Sequence, residues 1–311
     1  MKNASHNRVA ISAAHDVTSA ALSGSDHAGR WKGLLFQAAL LCCVFAAIAT
    51  LLMVIVWAWV TGSSRLDLNL LTQMPSGLRT SLGESGMQSA IFGTLWVMAG
   101  LIVTVVPLGV SAAIYLEEFA DKSTWYVRLI EVNIQNLAAV PSIVFGILGM
   151  AFIMRGPLSL GSVVYTGSLT LALLVLPTVI VTAREAVRAV PVSIRQASMG
   201  LGATKWRTIW HQVLPPAIPG IITGTILALS RAIGEAAPLI MIGTATFVLQ
   251  NPSSFVDGRF TVLPVQIYYW SSQANHDFHV LAAAGIIVLL AMLLAMNSLA
   301  IWLRIRLSRT Y

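Results

Sequence analysis

The sequence predicts an all-α, polytopic membrane protein, and three observations carry that prediction. Of 311 residues, 57% are hydrophobic and only 10% are charged, whereas a soluble domain carries roughly 25% charge. Mean hydropathy is +0.79. The apolar residues gather into six stretches, at 34–60, 87–116, 129–154, 162–183, 216–245 and 279–303, each longer than the ~20 residues that cross a bilayer. Backbone polar groups in lipid have to pair within their own segment, so each stretch is a helix and the six form a bundle.

Residues 1–33 are polar, with Ser, His, Asp and Gly scattered and no apolar period, and are expected to form a disordered cytoplasmic tail. The apolar stretch after Lys32 is about twice the core of a cleaved signal peptide, so 34–60 reads as a retained first anchor. Cys42 and Cys43 lie side by side inside it. With no disulfide framework and no metal-ligand spacing, they are packing residues. Two long outer loops, 61–86 and 246–278, are rich in Gly, Pro, Ser and Asn and either cap a pore or meet an external partner. The core is 87–303, interrupted by a polar cytoplasmic loop at 184–215, and 304–311 is a cytoplasmic C-terminal tail.

The net charge of +7 invites a nucleic-acid reading, but the distribution argues otherwise. With both termini inside, fourteen Lys and Arg fall on the inner side and four (Arg65, Arg79, Arg155, Arg259) on the outer side. The positive-inside rule explains that bias as helix orientation. The basic excess therefore orients the helices of a multi-pass protein with both termini cytoplasmic, and binds no nucleic acid.

Four spans contain a proline, at Pro107, Pro141, Pro177 and Pro238. Each removes a hydrogen bond and kinks its helix, giving either ordinary membrane-helix curvature or a shaped central cavity with helices that rock. Gly220 and Gly224 form a G-x-x-x-G face in the fifth span, of the kind that lets helix backbones approach closely. Glu131, Asn133, Gln135 and Asn136 make the start of the third span polar, which fits a headgroup-level position or a pore mouth.

The 184–215 loop has its own organisation. Pro191 stops the incoming helix, and Ser193 with Gln196 resembles a capping box for a short helix at 194–199. Gly200 and Gly202 terminate it. Thr204 caps a second helix that bears Trp206, Ile209, Trp210 and Val213 at i, i+3, i+4 and i+7 spacing, an apolar face. Leu214-Pro215-Pro216 closes the unit and starts the next span. Such a helix can rest on lipid headgroups, but a helix–glycine–helix hairpin bounded by prolines suits a docking element better.

The fifth span carries the most informative pair, Arg231 and Glu235. A charge at the bilayer centre costs about 2.5–3.5 kcal/mol on insertion scales, so ionisable residues there mark a pathway or a pairing site. Arg231 lies about 22 Å along the helix from Pro216 at ~1.5 Å per residue, and Glu235 shares its face. One reading is a self-neutralising structural ion pair. The other is an anion pathway, because a guanidinium presents five fixed donors that match phosphate oxygens, with Glu235 competing for Arg231 so that the anion is released. Gly234 lies between the charges, and Pro238 frees its carbonyl, so the two form a hinge. The sequence has no G-x-x-x-x-G-K-[ST] and no H-E-x-x-H, so neither nucleotide hydrolysis nor a zinc protease is expected of this chain.

These segments also carry a family resemblance. Gln196-Ala197-Ser198, three further residues to Gly202, then Leu214-Pro215 resembles the EAA loop of ABC importer permeases, with Gln196, Ser198 and Gln212 departing from its usual Glu, Ala and Ile. Three further segments resemble permeases of phosphate-specific ABC importers. They are Ile114-Tyr115-Leu116-Glu117-Glu118-Phe119, Ala139-Val140-Pro141-Ser142-Ile143-Val144-Phe145-Gly146, and Arg231-Ala232-Ile233-Gly234-Glu235-Ala236-Ala237-Pro238-Leu239. The Gly-Glu-x-Ala-Pro-Leu ending is similar to the PstA type rather than its PstC partner.

The resemblance implies a type I importer (MetI-like) permease fold, alternating access for inorganic phosphate, and coupling through a helix at 194–202. It implies a PstC-like permease partner and two separate ATP-binding subunits that hold ATP-Mg. It also implies an external phosphate-binding protein, surrounding membrane lipid, and no cofactor or metal in this chain. Another oxyanion (sulfate, molybdate or phosphonate), an ion-coupled carrier that uses the charged pair, and a membrane sensor remain the competing readings.

Overall fold

The computed structural model describes residues 27–76, 85–244 and 248–308. Most of the expected tail, 1–26, lies outside that set. Every regular element among the described residues is helical, with no strand among them. Among the described residues five helices are long and apolar enough to span a bilayer, and the number is six when one bent pair is counted as a single span. Contacts divide the chain between Trp57 and Ala58.

The first unit is helical from His27, within α1 (His27–Gly62). The helix thus begins earlier than the expected end of the tail at residue 33. From Trp31 to Trp57 every residue is exposed. A helix apolar on all faces is soluble only in lipid or inside a larger assembly.

The second unit begins at Ala58. Its first outer segment is not a plain loop, because Asp67 caps the short helix α2 (Leu68–Thr72) by accepting a 3.0 Å hydrogen bond from the Leu70 N–H. The second span is α3 (Gln88–Ile114), continuous past Pro107 and extended by a π-helical turn, Tyr115–Phe119.

The expected third span is two helices. α4 (Trp125–Ala138) and α5 (Ser142–Leu148, extended by a π turn to Met154) meet at 109°. Pro141 accounts for the break, since it disfavours helical backbone at the residue before it and its carbonyl instead starts the next helix, accepting from Val144 at 3.0 Å.

α6 (Val164–Arg188) is the most buried span and packs against both α3 and α9 (Leu214–Ile233). The G-x-x-x-G expectation holds at that crossing. A Cβ on Gly220 would stand 2.7 Å from Ala186 Cβ, and one on Gly224 would stand 2.4 Å from Thr182 Cβ. Two residues four apart on α9 thus receive two residues four apart on α6, which is ridge-in-groove packing.

Between α6 and α9 the loop holds α7 (Val192–Gly200) and α8 (Lys205–Thr208). Two expectations change here. Ser193 does not cap α7, because the helix starts two residues earlier, at Val192, with Pro191 at the cap position. Leu214-Pro215-Pro216 starts the next span, α9, as expected, but does not close the unit, since helical structure runs from Lys205 to Ile233. Pro215 and Pro216 cannot donate to the preceding turn, and that turn, Ile209–Val213, is a wide π turn.

The fifth span ends at Ile233, twelve residues short of its expected end. After a break comes α10 (Ala237–Met241), with Pro238 in its first turn. The expected outer loop 246–278 contains a buried helix, α11 (Leu263–Ser271), packed on α12 (His276–Ser308). Trp270 and Leu263 of α11 are fully buried.

Candidate functional site

The helix break holds the charged pair. Arg231 is in the last turn of α9, Gly234 caps it with a helical backbone (φ −86°, ψ −3°), and the Glu235 N–H donates to the Ala232 carbonyl at 3.2 Å. Arg231 Nε stands 3.6 Å from Glu235 Oε1. That is a loose ion pair with no hydrogen bond. The Arg231 side chain is 61% exposed and Glu235 19%, so the guanidinium is free to engage a second anionic group. On the neighbouring turn, Ser230 donates to Asn297 of α12. Sequence reading expected a proline kink in a continuous helix. Pro238 instead sits in the first turn of α10, where its missing N–H would have had no intrahelical partner, and Gly234–Ala236 forms the joint.

Gly146 of α5 lies against α10 just past this joint, with Pro238 and Met241 around it. Two of the sequence segments singled out above, 139–146 and 231–239, therefore meet in space.

The hairpin α7–α8 protrudes, with Gln196 and Ala197 exposed and Leu201 91% exposed. Gly202 adopts φ +84°, the left-handed region that glycine enters without a Cβ penalty. Ser198 Oγ and Thr208 Oγ1, 2.9 Å apart, tie the two arms together. Thr204 caps α8 as expected, accepting from the Arg207 N–H at 3.3 Å. Ile209 and Val213 turn into the core, while Trp206 and Trp210 face outward. Leu214 is buried in the first turn of α9, beside Pro215.

An ion-pair network that the sequence did not reveal holds the root of this hairpin. Arg195 of α7 donates to Glu118 Oε1 at 2.9 and 2.7 Å, and also to the carbonyls of Val187 and Val190. Arg188 bonds both oxygens of Glu117, which also accepts from Lys122. Arg184 reaches Glu131 at 2.5 Å and Glu117 at 3.5 Å. The network joins the end of α3, the middle of α4, the end of α6 and the hairpin. A polar cavity of about 210 Å³ beside it is lined by Glu131, Gln135, Arg184, Glu185 and Arg188. Arg184 Nε is buried there without a hydrogen-bond partner. Glu131 thus has a definite partner, which neither sequence reading supplied.

Residues 105–309 match the family described as binding-protein-dependent transport system inner membrane component. The chain belongs to this family. As one of its members it is a multi-pass inner-membrane component of a transport system. The phosphate transport system permease protein PstA of Yersinia pestis is 31% identical over 261 residues, covering 82% of this chain and 86% of that protein. Among solved structures, a chain of the bacterial alginate ABC transporter, in complex with its alginate pentasaccharide-bound periplasmic protein, superposes with TM-score 0.65. It is 14% identical, covering 89% of this chain and 96% of that one. A chain of the MetNI methionine ABC transporter, in an inward-facing conformation, gives TM-score 0.53 at 17% identity, covering 72% and 96%. The fold is that of type I ABC importer permeases.

The matched region takes in the hairpin, the joint at Gly234–Ala236 and the arginine side of the network, together with Glu117, Glu118 and Glu131. α1 lies outside it.

Proposed function

We propose that the chain is the PstA-like permease subunit of an ATP-driven importer of inorganic phosphate. The observation that carries this reading is the exposed Arg231 guanidinium at a helix joint inside a spanning segment, loosely paired with Glu235. The 31% identity to a phosphate-system permease supports the choice of cargo.

The exposure and loose pairing of Arg231 support a mechanism. A phosphate reaching the joint offers oxygens that a guanidinium bonds in pairs, and Arg231 is free to take them. Glu235 competes for the same guanidinium and limits how tightly the anion is held, which conduction requires. In the state described here the pair is loose, with 3.6 Å between Arg231 Nε and Glu235 Oε1; in the cycle Glu235 holds Arg231 in one state and yields it to the anion in another. Gly234 and Pro238 supply the hinge.

Coupling is assigned to the hairpin, through Gln196, Ala197, Ser198 and Gly202, with Leu214-Pro215 leading back into the membrane. Two separate ATP-binding subunits would hold ATP-Mg and dock there, and this chain hydrolyses nothing. Motion of the hairpin reaches α3 through Arg195–Glu118, and the end of α6, which leads into the hairpin, reaches α4 through Arg184–Glu131. A PstC-like permease would complete the pathway, and an external binding protein would deliver phosphate. The excess of Lys and Arg around the hairpin and at both ends supports cytoplasmic termini.

The test is radiolabelled phosphate uptake at micromolar concentration in cells lacking this gene, with and without its restoration, and with other high-affinity phosphate systems disabled. Restored uptake that is sensitive to vanadate, and suppressed by unlabelled phosphate but not by sulfate or molybdate, is the expected result. Unchanged uptake would defeat the phosphate assignment, and vanadate-insensitive uptake would favour an ion-coupled carrier.

A further inference from the structure

The outward side of α8 and its π turn does not face bulk solvent alone. Together with the end of α3 it forms a groove of about 260 Å³ whose walls include Ile114, Tyr115, Phe119, Trp206, Trp210 and Leu214. The rings stand in a row, with Phe119 and Trp206 centroids 6.3 Å apart and Trp206 and Trp210 5.5 Å apart. The Lys205 ammonium lies 5.3 Å from the centre of the Phe119 ring. Both walls are ends of spanning helices, Gln88–Phe119 and Lys205–Ile233.

We propose that this groove binds one anionic phospholipid, with an acyl chain along the aromatic wall and the headgroup phosphate at Lys205. The place fits a lipid because Trp and Tyr favour the headgroup level of a bilayer, and the groove sits where two spanning helices reach that level. Charge complementarity selects an anionic headgroup. The acids nearest the groove, Glu117 and Glu118, are engaged by Lys122, Arg184, Arg188 and Arg195, whereas no salt bridge to Lys205 is found among the described residues. A basic side chain near an anionic bilayer surface adds about 1 kcal/mol of attraction, roughly a fivefold preference. The site is independent of which solute the chain carries, because it involves neither Arg231 nor Glu235.

The assembled transporter, reconstituted in phosphatidylcholine nanodiscs, provides the test. Trace amounts of chain-brominated phosphatidylglycerol or chain-brominated phosphatidylcholine are added, and quenching of tryptophan fluorescence is recorded. The brominated anionic lipid should quench more strongly, and Trp206→Phe with Trp210→Phe should remove the difference. Lys205→Gln should lower the preference about fivefold and Lys205→Arg should retain it, which separates loss of charge from loss of fold. Equal quenching by the two lipids would overturn the proposal. So would a preference seen in the isolated chain and lost in the assembled transporter, because a protein partner would then cover the groove.

Discussion

Gly146 and Pro238 touch backbone to backbone. A Cβ on Gly146 would stand 2.6 Å from Pro238 Cα and 2.8 Å from its carbonyl oxygen. That contact sets α5 against α10 and so fixes where the joint after Arg231 lies. Neither neighbour is the far end of a flexible side chain, so a larger residue has nowhere to move. Gly146→Ala is expected to destabilise the protein by about 1–3 kcal/mol, the range for forcing an extra methyl group into a packed site. Thermal unfolding of the detergent-purified chain measures it. A melting temperature equal to that of the unsubstituted protein would mean that the two helices separate freely.

This joint marks the border between what the sequence discloses and what it conceals. Hydropathy gives the spanning segments, and spacing gives the face of α9 that carries Gly220 and Gly224, because both are properties of a single helix. The sequence predicts only kinks at Pro141 and Pro238, where the structure has a 109° bend and a helix that ends at Ile233. A proline signals a lost hydrogen bond, but whether the chain bends or breaks depends on what packs beside it, and here Gly146 and Pro238 decide together. Ion-pair partners were still less accessible. Glu131 and Arg184 are 53 residues apart, Glu117 and Arg188 71, and Glu118 and Arg195 77. No periodicity connects such positions. The acids stood in the Ile114–Phe119 segment, and the only available signal was two adjacent carboxylates at the end of an apolar helix, which require cations nearby.

The Glu118–Arg195 pair is expected to hold the hairpin to the end of α3. Glu118→Gln keeps the size of the side chain and removes the charge, leaving Arg195, 15% exposed, with its two carbonyl acceptors. Hydrogen bonds to charged groups contribute about 1.5–3 kcal/mol, so the loss should appear as local loosening rather than global unfolding. Hydrogen–deuterium exchange over 192–204 should speed up while the spanning helices stay protected. Uniform acceleration along the chain would mean that the pair supports the whole bundle and carries no special link to the hairpin.

Gly202 is constrained by its backbone and not by its surroundings. It has φ +84° and no atom within 4 Å of where a Cβ would lie. A β-carbon in the left-handed region costs roughly 1–2 kcal/mol, so Gly202→Val should distort the turn between α7 and α8 without creating a clash. Gly200 also has open space around it and is free of positive φ, which makes Gly200→Ala the matched control. Co-purification of the ATP-binding subunits should fall for the Gly202 variant and hold for the control. Equal recovery in both would remove the hairpin as the docking element.

Arg231 decides between the two meanings of the charged pair. At 3.6 Å and 61% exposed, the guanidinium contributes little to holding the fold, since an exposed ion pair is worth about 0–1 kcal/mol. Arg231→Gln should therefore leave the transporter assembled and its melting temperature within a few degrees. Uptake should fall to background, because a neutral amide cannot attract an anion into the membrane. Glu235→Gln, by contrast, frees Arg231 of its competitor, and bound phosphate should then leave more slowly, giving tighter binding with reduced turnover. If Arg231→Gln instead prevents assembly, the pair is a structural lock and the anion pathway has to be sought elsewhere in the bundle, beginning with the Arg184 cavity.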